Sequence, residues 1–223
     1  MPAFAPPIQA NAALFNKTTQ MKTDPIIVRV AQEADTQYAV AITEEMERSA
    51  KARGTGIARR SPESICQKIR EGKAVIAIST NGEWAGFSYI DVWSNGTFVS
   101  NSGLIVSPPF RCQGVAKSIK TKIFRLSRQL YPQARIFSIT TGLAIMKMNL
   151  RFGFEPVTFN EITHDPAFWQ GCKSCINYPI LTSKEFKNCL CTALMYAPAN
   201  TTQAEKHPEI STNFTIHEKQ LLL

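Results

Sequence analysis

The sequence predicts an α/β fold: a mixed, mostly antiparallel sheet of about seven strands flanked by helices. Three observations predict it. Short apolar runs with strand character alternate with stretches whose apolar residues recur at helical spacing. Two Asn-Gly pairs, Asn81-Gly82 and Asn95-Gly96, separate three such runs, and Asn-Gly is a strong hairpin signal. Finally, Leu104-Ile105-Val106 stops at Ser107-Pro108-Pro109, a short loop holds Gly114, and Val115, Ile119, Ile123, Leu126 and Leu130 mark a helix. A strand, a tight loop and a helix make a site for an anion. The first N–H groups of a helix have no partner inside it, and its dipole favours negative charge there.

Taken in order, residues 1–24 are rich in Ala, Pro, Asn and Thr and read as a flexible arm, with Met21 as an alternative start. Residues 26–30 read as a strand, and 33–52 as a helix with Ala34, Tyr38, Ile42 and Met46 on one face. A Gly-bearing basic loop spans 53–60. Ser61 suits an N-cap and Pro62 the first helical position, and Gly72 ends that helix. Strands over 74–79, 84–93 and 97–106 form an antiparallel meander. After the helix that follows the loop, Pro132 breaks the chain. A strand over 135–140, a helix over 142–152 and a strand over 154–159 come next. Residues 160–188 read as an irregular, cysteine-containing insertion, and 188–196 as the last strand. One domain thus spans 25–197, and 198–223 reads as a flexible tail.

Composition narrows the function. Lys and Arg number 25 against 17 Asp and Glu, a net charge of +8, yet no long basic block or nucleic-acid motif occurs. Small anionic ligands fit that charge better than nucleic acid. No apolar run reaches a membrane span, and the N-terminus lacks a secretory pattern, so a cytoplasmic protein is expected. Its six cysteines then read as thiols or metal ligands rather than disulfides.

Arg111-Cys112-Gln113-Gly114-Val115-Ala116 fits the pattern Q/R-x-x-G-x-G/A, and Met148-Asn149-Leu150-Arg151-Phe152-Gly153-Phe154 follows after a second helix. With this order of elements, the chain resembles the GNAT superfamily of acyl-CoA-dependent N-acyltransferases over about residues 26–196. The resemblance implies a V-shaped opening between the fourth and fifth strands. It implies acetyl-CoA or succinyl-CoA as co-substrate, its pyrophosphate held by the loop 111–116 with Lys117 beside it. It also implies a pantetheine arm added along Leu104, Ile105 and Val106, with Asn149 able to hydrogen-bond the cofactor. A backbone N–H, that of Ile105, would bind the oxyanion.

Two departures from the family pattern concern proton transfer. The tyrosine that many members carry four residues before the glycine of the second motif is Asn149 here, a poor acid. The glutamate often found on the fourth strand is missing from Ser100-Asn101-Ser102-Gly103. Asp91, Glu44, Glu45, Glu47 and Tyr89 are the titratable substitutes, and no catalytic residue is singled out among them.

The resemblance also implies that the segment between the first two helices lines the acceptor site. Arg53, Arg59 and Arg60 lie there; they read either as carboxylate ligands, since arginine binds carboxylates bidentately, or as a solvated basic loop. Gly54 to Arg60 and the cysteine-rich end look like a bacterial branch linked to glutamate N-acylation for arginine synthesis. The expected reaction is transfer of an acetyl or succinyl group to the amine of a small acidic amino acid such as glutamate. A peptide or protein acceptor and a non-catalytic acyl-CoA sensor are the alternatives. Oligomeric state is left open, a homodimer included. Cys172, Cys175, Cys189 and Cys191 leave two readings open: a closed structural zinc site, or buried thiols. The second leads, because C-x-C on a strand is an unusual half-site.

Overall fold

The computed structural model describes residues 25–198, so the expected arm 1–24 and all but the first residue of the expected tail lie outside the described residues. The elements are β1 (Ile26–Val30), α1 (Ala39–Ala52), α2 (Pro62–Arg70), β2 (Ala74–Ser79), β3 (Trp84–Trp93) and β4 (Phe98–Val106). They continue with α3 (Val115–Leu130), β5 (Arg135–Thr140), α4 (Leu143–Arg151), β6 (Glu155–Val157), α5 (Pro166–Gln170), α6 (Tyr178–Ser183) and β7 (Thr192–Tyr196). The strands form one seven-stranded sheet in the order β1-β2-β3-β4-β5-β7-β6. Every pairing is antiparallel except β4 with β5.

Alternation along the strands sorts the core into two faces. Ile76 and Phe87 point to one, where Ile42 and Met46 of α1 and Ile65 and Ile69 of α2 cover them. Val75, Ala77 and Ile90 point to the other, against Ile119 and Ile123 of α3. Over β5 and β7, Phe124 of α3 and Met146 of α4 cover Ile136 and Leu194, while Phe159, Ile162 and Leu181 cover Phe137 and Ala193 from the opposite side. The 158–191 segment is therefore the lid of the face that α1 and α2 leave bare.

Local chemistry explains the element ends. Ser61 Oγ accepts the Ser64 N–H at 3.2 Å and starts α2 with Pro62 in its first turn. The first six residues of the expected 33–52 helix wind as a 3-10 turn, Glu33–Tyr38. There the buried Asp35 carboxylate accepts the Gln32 N–H at 2.7 Å and pairs with Arg29 at 2.7 Å. The segment expected to be irregular holds two short helices, α5 and α6. The last strand begins at Thr192 instead of 188, because Asn188 Oδ1 takes the Cys189 N–H at 2.7 Å and competes with the ladder. Among the described residues, no helix is long and apolar enough to cross a membrane.

The feature that positions the site is a parting of strands. β4 and β5 pair at only three positions, Phe98↔Arg135, Val99↔Ile136 and Ser100↔Phe137. Both strands run on, β4 to Val106 and β5 to Thr140, without pairing further. The gap between them opens into a cavity.

Candidate active site

The cavity has a volume of about 950 Å3 and runs from the β4–α3 loop, past the parted strands, to the 158–191 segment. Leu104, Ile105 and Val106 line it, as do Arg111, Cys112, Gly114, Val115, Ala116 and Lys117 at one end. Arg53, Arg59, Arg60 and all four late cysteines line the other. Gln113, Glu44, Glu45, Glu47 and Asn149 are the candidates that the structure leaves off its walls.

At the loop end, the backbone supplies the polar groups. Cys112 (φ 60°) and Gly114 (φ 80°) are both left-handed, so the chain turns sharply twice before α3. Among the described residues, no hydrogen bond within the chain takes up the N–H groups from Cys112 to Lys117. A Cβ at Gly114 would meet nothing within 4 Å, which leaves the space above the helix start clear. An anion with several oxygens fits that row of amides. The Arg111 guanidinium is directed elsewhere. It donates to Glu45 Oε1 at 2.5 Å, to Ser49 Oγ at 2.7 Å and to the Val106 carbonyl at 3.2 Å, and so ties the loop to α1. Glu45 is buried. Burial would raise its carboxyl pKa, but the bonds from Ser49 and Arg48 and the Arg111 charge hold it below the ordinary range.

β4 carries a bulge where it lines the cavity. Phe87 faces Ile105 and Tyr89 faces Ser102, so Gly103 and Leu104 together stand opposite Ser88. Gly103 has φ 64°, and a Cβ there would lie 2.5 Å from Tyr89 Cε1 and 2.9 Å from Met46 Cε. The register corrects one expectation. The Ser107 N–H donates to the Ala85 carbonyl at 2.9 Å. Bonded pairs alternate along an antiparallel ladder, so Phe87–Ile105 is bonded too, and the Ile105 N–H points at β3. It is Val106 whose N–H and carbonyl face the opening.

Beyond the bulge lies a polar floor. Tyr89 and Asp91 of β3 stand opposite Ser102 and Ser100 of β4. The serine hydroxyls are 3.0 Å apart, and Trp93 Nε1 donates to Ser100 Oγ at 2.9 Å. Lys68 of α2 holds Asp91 Oδ1 at 2.8 Å. The Arg60 Nε donates to the Tyr89 hydroxyl, with the guanidinium carbon 5.8 Å from the ring centroid. Burial raises the Tyr89 pKa, and the Arg60 charge offsets part of that rise. Glu47 is turned outward, where it meets Arg59 at 3.9 Å.

The roof comes from distant parts of the chain. The Arg59 N–H donates to Ser174 Oγ at 2.8 Å. Gly56 abuts the Cys175 thiol, and a Cβ there would also lie 2.8 Å from Asn177 Nδ2. The four cysteines converge on this wall. Burial pushes the Cys172 thiol up to about 11 and the Cys191 thiol up to about 12, with the neighbouring thiols adding to it. In the metal-free chain, thiols in that range stay protonated at neutral pH. Among the described residues, no group of three or more His, Cys, Asp or Glu side chains is arranged to hold a metal ion.

Two buried groups stand behind the walls. Asn149 is fully buried, and neither atom of its amide has a partner among the described residues. Ala144, Ile145 and Met148 are the α4 residues that line the cavity instead. Lys120 of α3 is 3% exposed; its Nζ donates to Asn101 Oδ1 at 3.2 Å and lies 4.7 Å from the Phe154 ring centroid. Burial alone pushes its pKa down to about 7. Sequence reasoning passed over Lys120, because it borders the apolar stripe of α3 where a solvated lysine is ordinary. It also passed over the rings of Phe168 and Trp169, which lie in the stretch that reads as irregular.

No protein-family model matches the sequence, and no curated protein does either. Solved structures do match in fold, at low identity. Rv2747 from Mycobacterium tuberculosis, in complex with CoA, is 17% identical with a TM-score of 0.55, covering 77% of this chain and 98% of that one. N-acetylglutamate synthase from Neisseria gonorrhoeae, complexed with coenzyme A and N-acetyl-glutamate, is 16% identical with a TM-score of 0.55, covering 79% of this chain and 36% of that one. A GNAT superfamily phosphinothricin acetyltransferase from Sinorhizobium meliloti, in complex with AcCoA, is 18% identical with a TM-score of 0.53, covering 87% and 99%. The seven-stranded mixed sheet with a parallel β4–β5 pair flanked by helices is the GNAT fold.

Proposed function

We propose that this chain is an acyl-CoA-dependent N-acyltransferase that moves an acetyl or succinyl group directly to the amine of a small, carboxylate-bearing acceptor, glutamate being the first to test. The observation that carries this reading is the parting of β4 and β5, with unpartnered loop amides at one end of the gap and the Tyr89–Asp91 floor at the other. The neighbours in fold that are complexed with CoA or AcCoA support it, and N-acetylglutamate synthase among them is the reason glutamate heads the panel to test.

In this reading the pyrophosphate of CoA sits on the N–H groups of residues 112–117, with Lys117 beside it. The pantetheine arm lies along the free edge of β4, where the outward-facing amide of Val106 bonds it as a strand would. A β4 amide facing the gap polarises the thioester carbonyl and stabilises the oxyanion, which accounts for a large share of catalysis in such sites. The amine attacks the carbonyl carbon as the free base, and the C–S bond breaks. Asp91, the carboxylate on the floor, receives the amine's proton. The leaving thiolate, of pKa about 8.5, needs little acid assistance. Arg60 holds the acceptor carboxylate. The roof formed by residues 54–60 and 172–177 favours a small molecule over a polypeptide.

The test is thiol release from acetyl-CoA or succinyl-CoA on adding glutamate and a panel of other amines. The reading expects acceptor-dependent release matched by N-acylated product. Tight CoA binding with no acceptor-dependent release would instead make the chain an acyl-CoA sensor.

A further inference from the structure

The acceptor end of the cavity divides its chemistry in a way that acyl transfer alone does not require. The floor is polar, with Asp91 opposite Ser100 and Tyr89 opposite Ser102, and Arg60 stands over Tyr89. The wall beyond it, made by β5 and residues 158–191, changes character. Phe168 meets Trp93 edge-on at 5.3 Å between centroids and Phe137 at 5.1 Å. Trp169 packs against Phe168 at 4.8 Å. Cys172 and Cys191 complete that wall as uncharged thiols. No charged side chain from residues 158–191 lines the cavity.

Resting on the N-acyltransferase reading, we propose that the acceptor is an α-amino acid with an uncharged aromatic or thioether side chain. The three substituents on one α-carbon match three adjoining surfaces. The amine lies over Asp91 and the two serines, the carboxylate meets Arg60, and the side chain enters the ring-and-thiol wall. Ring edges and polarisable sulfur are good neighbours for such a side chain. A second carboxylate placed there would lose its water, and Arg60, whose charge reaches Cys172, is already engaged by the first carboxylate. Glutamate would then be accepted poorly, its γ-carboxylate left at the mouth near the exposed Arg59.

The experiment compares kcat/KM for phenylalanine, methionine, alanine, glutamate and aspartate with a short acyl-CoA. Phenylalanine or methionine is expected to exceed both alanine and glutamate at least tenfold, since burying such a side chain is worth about 1.5–3 kcal/mol and 1.4 kcal/mol is tenfold. The substitution Cys191→Phe, which fills the wall, is expected to bring the phenylalanine-to-alanine ratio down to about one. That ratio does not depend on how much of the variant folds. Glutamate or aspartate as the best acceptor, or an unchanged ratio in the variant, would overturn the proposal and leave the N-acyltransferase reading standing. Hexanoyl-CoA outpacing acetyl-CoA tenfold with alanine as acceptor would overturn it too, by assigning the wall to the acyl chain. Thiol release with none of the amines would bring down both.

Discussion

At the loop end of the cavity the groups that face a ligand are backbone amides, and one contiguous stretch, 104–117, supplies nearly all of them. At the other end they are side chains drawn from 53–60, β3, β4, β5 and 158–191. The two ends therefore tolerate change differently. Amides held by a loop and a helix start depend on backbone path, which only a few residue types permit. A wall of side chains can be rebuilt one residue at a time. Under the proposed function, the fixed end is the donor end and the variable end the acceptor end, which would let one fold serve different amines.

That contrast predicts where substitutions act. The largest effect is expected from Gly114→Val, which puts a side chain over the helix start and strains a φ of 80°. The KM for acetyl-CoA is expected to rise about 100-fold, the equivalent of about 2.7 kcal/mol, with the acceptor KM little changed. Steady-state kinetics with each substrate varied checks it. Next is Lys120→Met, behind the parted strands. The folded-state pKa of Lys120, about 7, lies below its ordinary value, so the unfolded chain binds more protons between about pH 7 and 10.5 and stability rises with pH across that window. Below it, the penalty of the buried charge is fully present. Urea unfolding at pH 6 is expected to show the methionine variant about 2 kcal/mol more stable than wild type, with the rise between pH 7 and 10 flattened.

Arg60→Gln is expected to raise the acceptor KM about tenfold while sparing that of acetyl-CoA, since a charge-assisted bond is worth about 1.5–3 kcal/mol and the remaining amide keeps part of it. An equal rise in both KM values would place Arg60 at the donor end. The smallest effect belongs to Gly56→Ala. The added methyl meets the Cys175 thiol and Asn177, and the roof must shift. Thermal unfolding is expected to show a loss of about 1 kcal/mol, with a few-fold rise in acceptor KM.

The same contrast explains what the sequence made legible. The strand–loop–helix at 104–130 is contiguous, so pattern and turn chemistry were enough to place it, and the two Asn-Gly pairs marked the meander. Side chains that matter through distant partners were not legible. Arg111 reads as an anion ligand until Glu45, 66 residues earlier, takes its guanidinium. Whether the amide of Ile105 or of Val106 faces the gap turns on ladder alternation, which no composition encodes. The 158–191 wall reads as irregular because its helices are short and its rings serve a cavity as well as a core.

In the proposed N-acyltransferase, the parted strands would bring donor and amine together in one cavity, so acyl transfer would pass through a ternary complex. Initial velocities measured against both substrates test this. Intersecting double-reciprocal lines, with no acyl group found on the protein by mass spectrometry after incubation with acetyl-CoA alone, are the predicted result. Parallel lines together with an acylated cysteine on the cavity wall would contradict it.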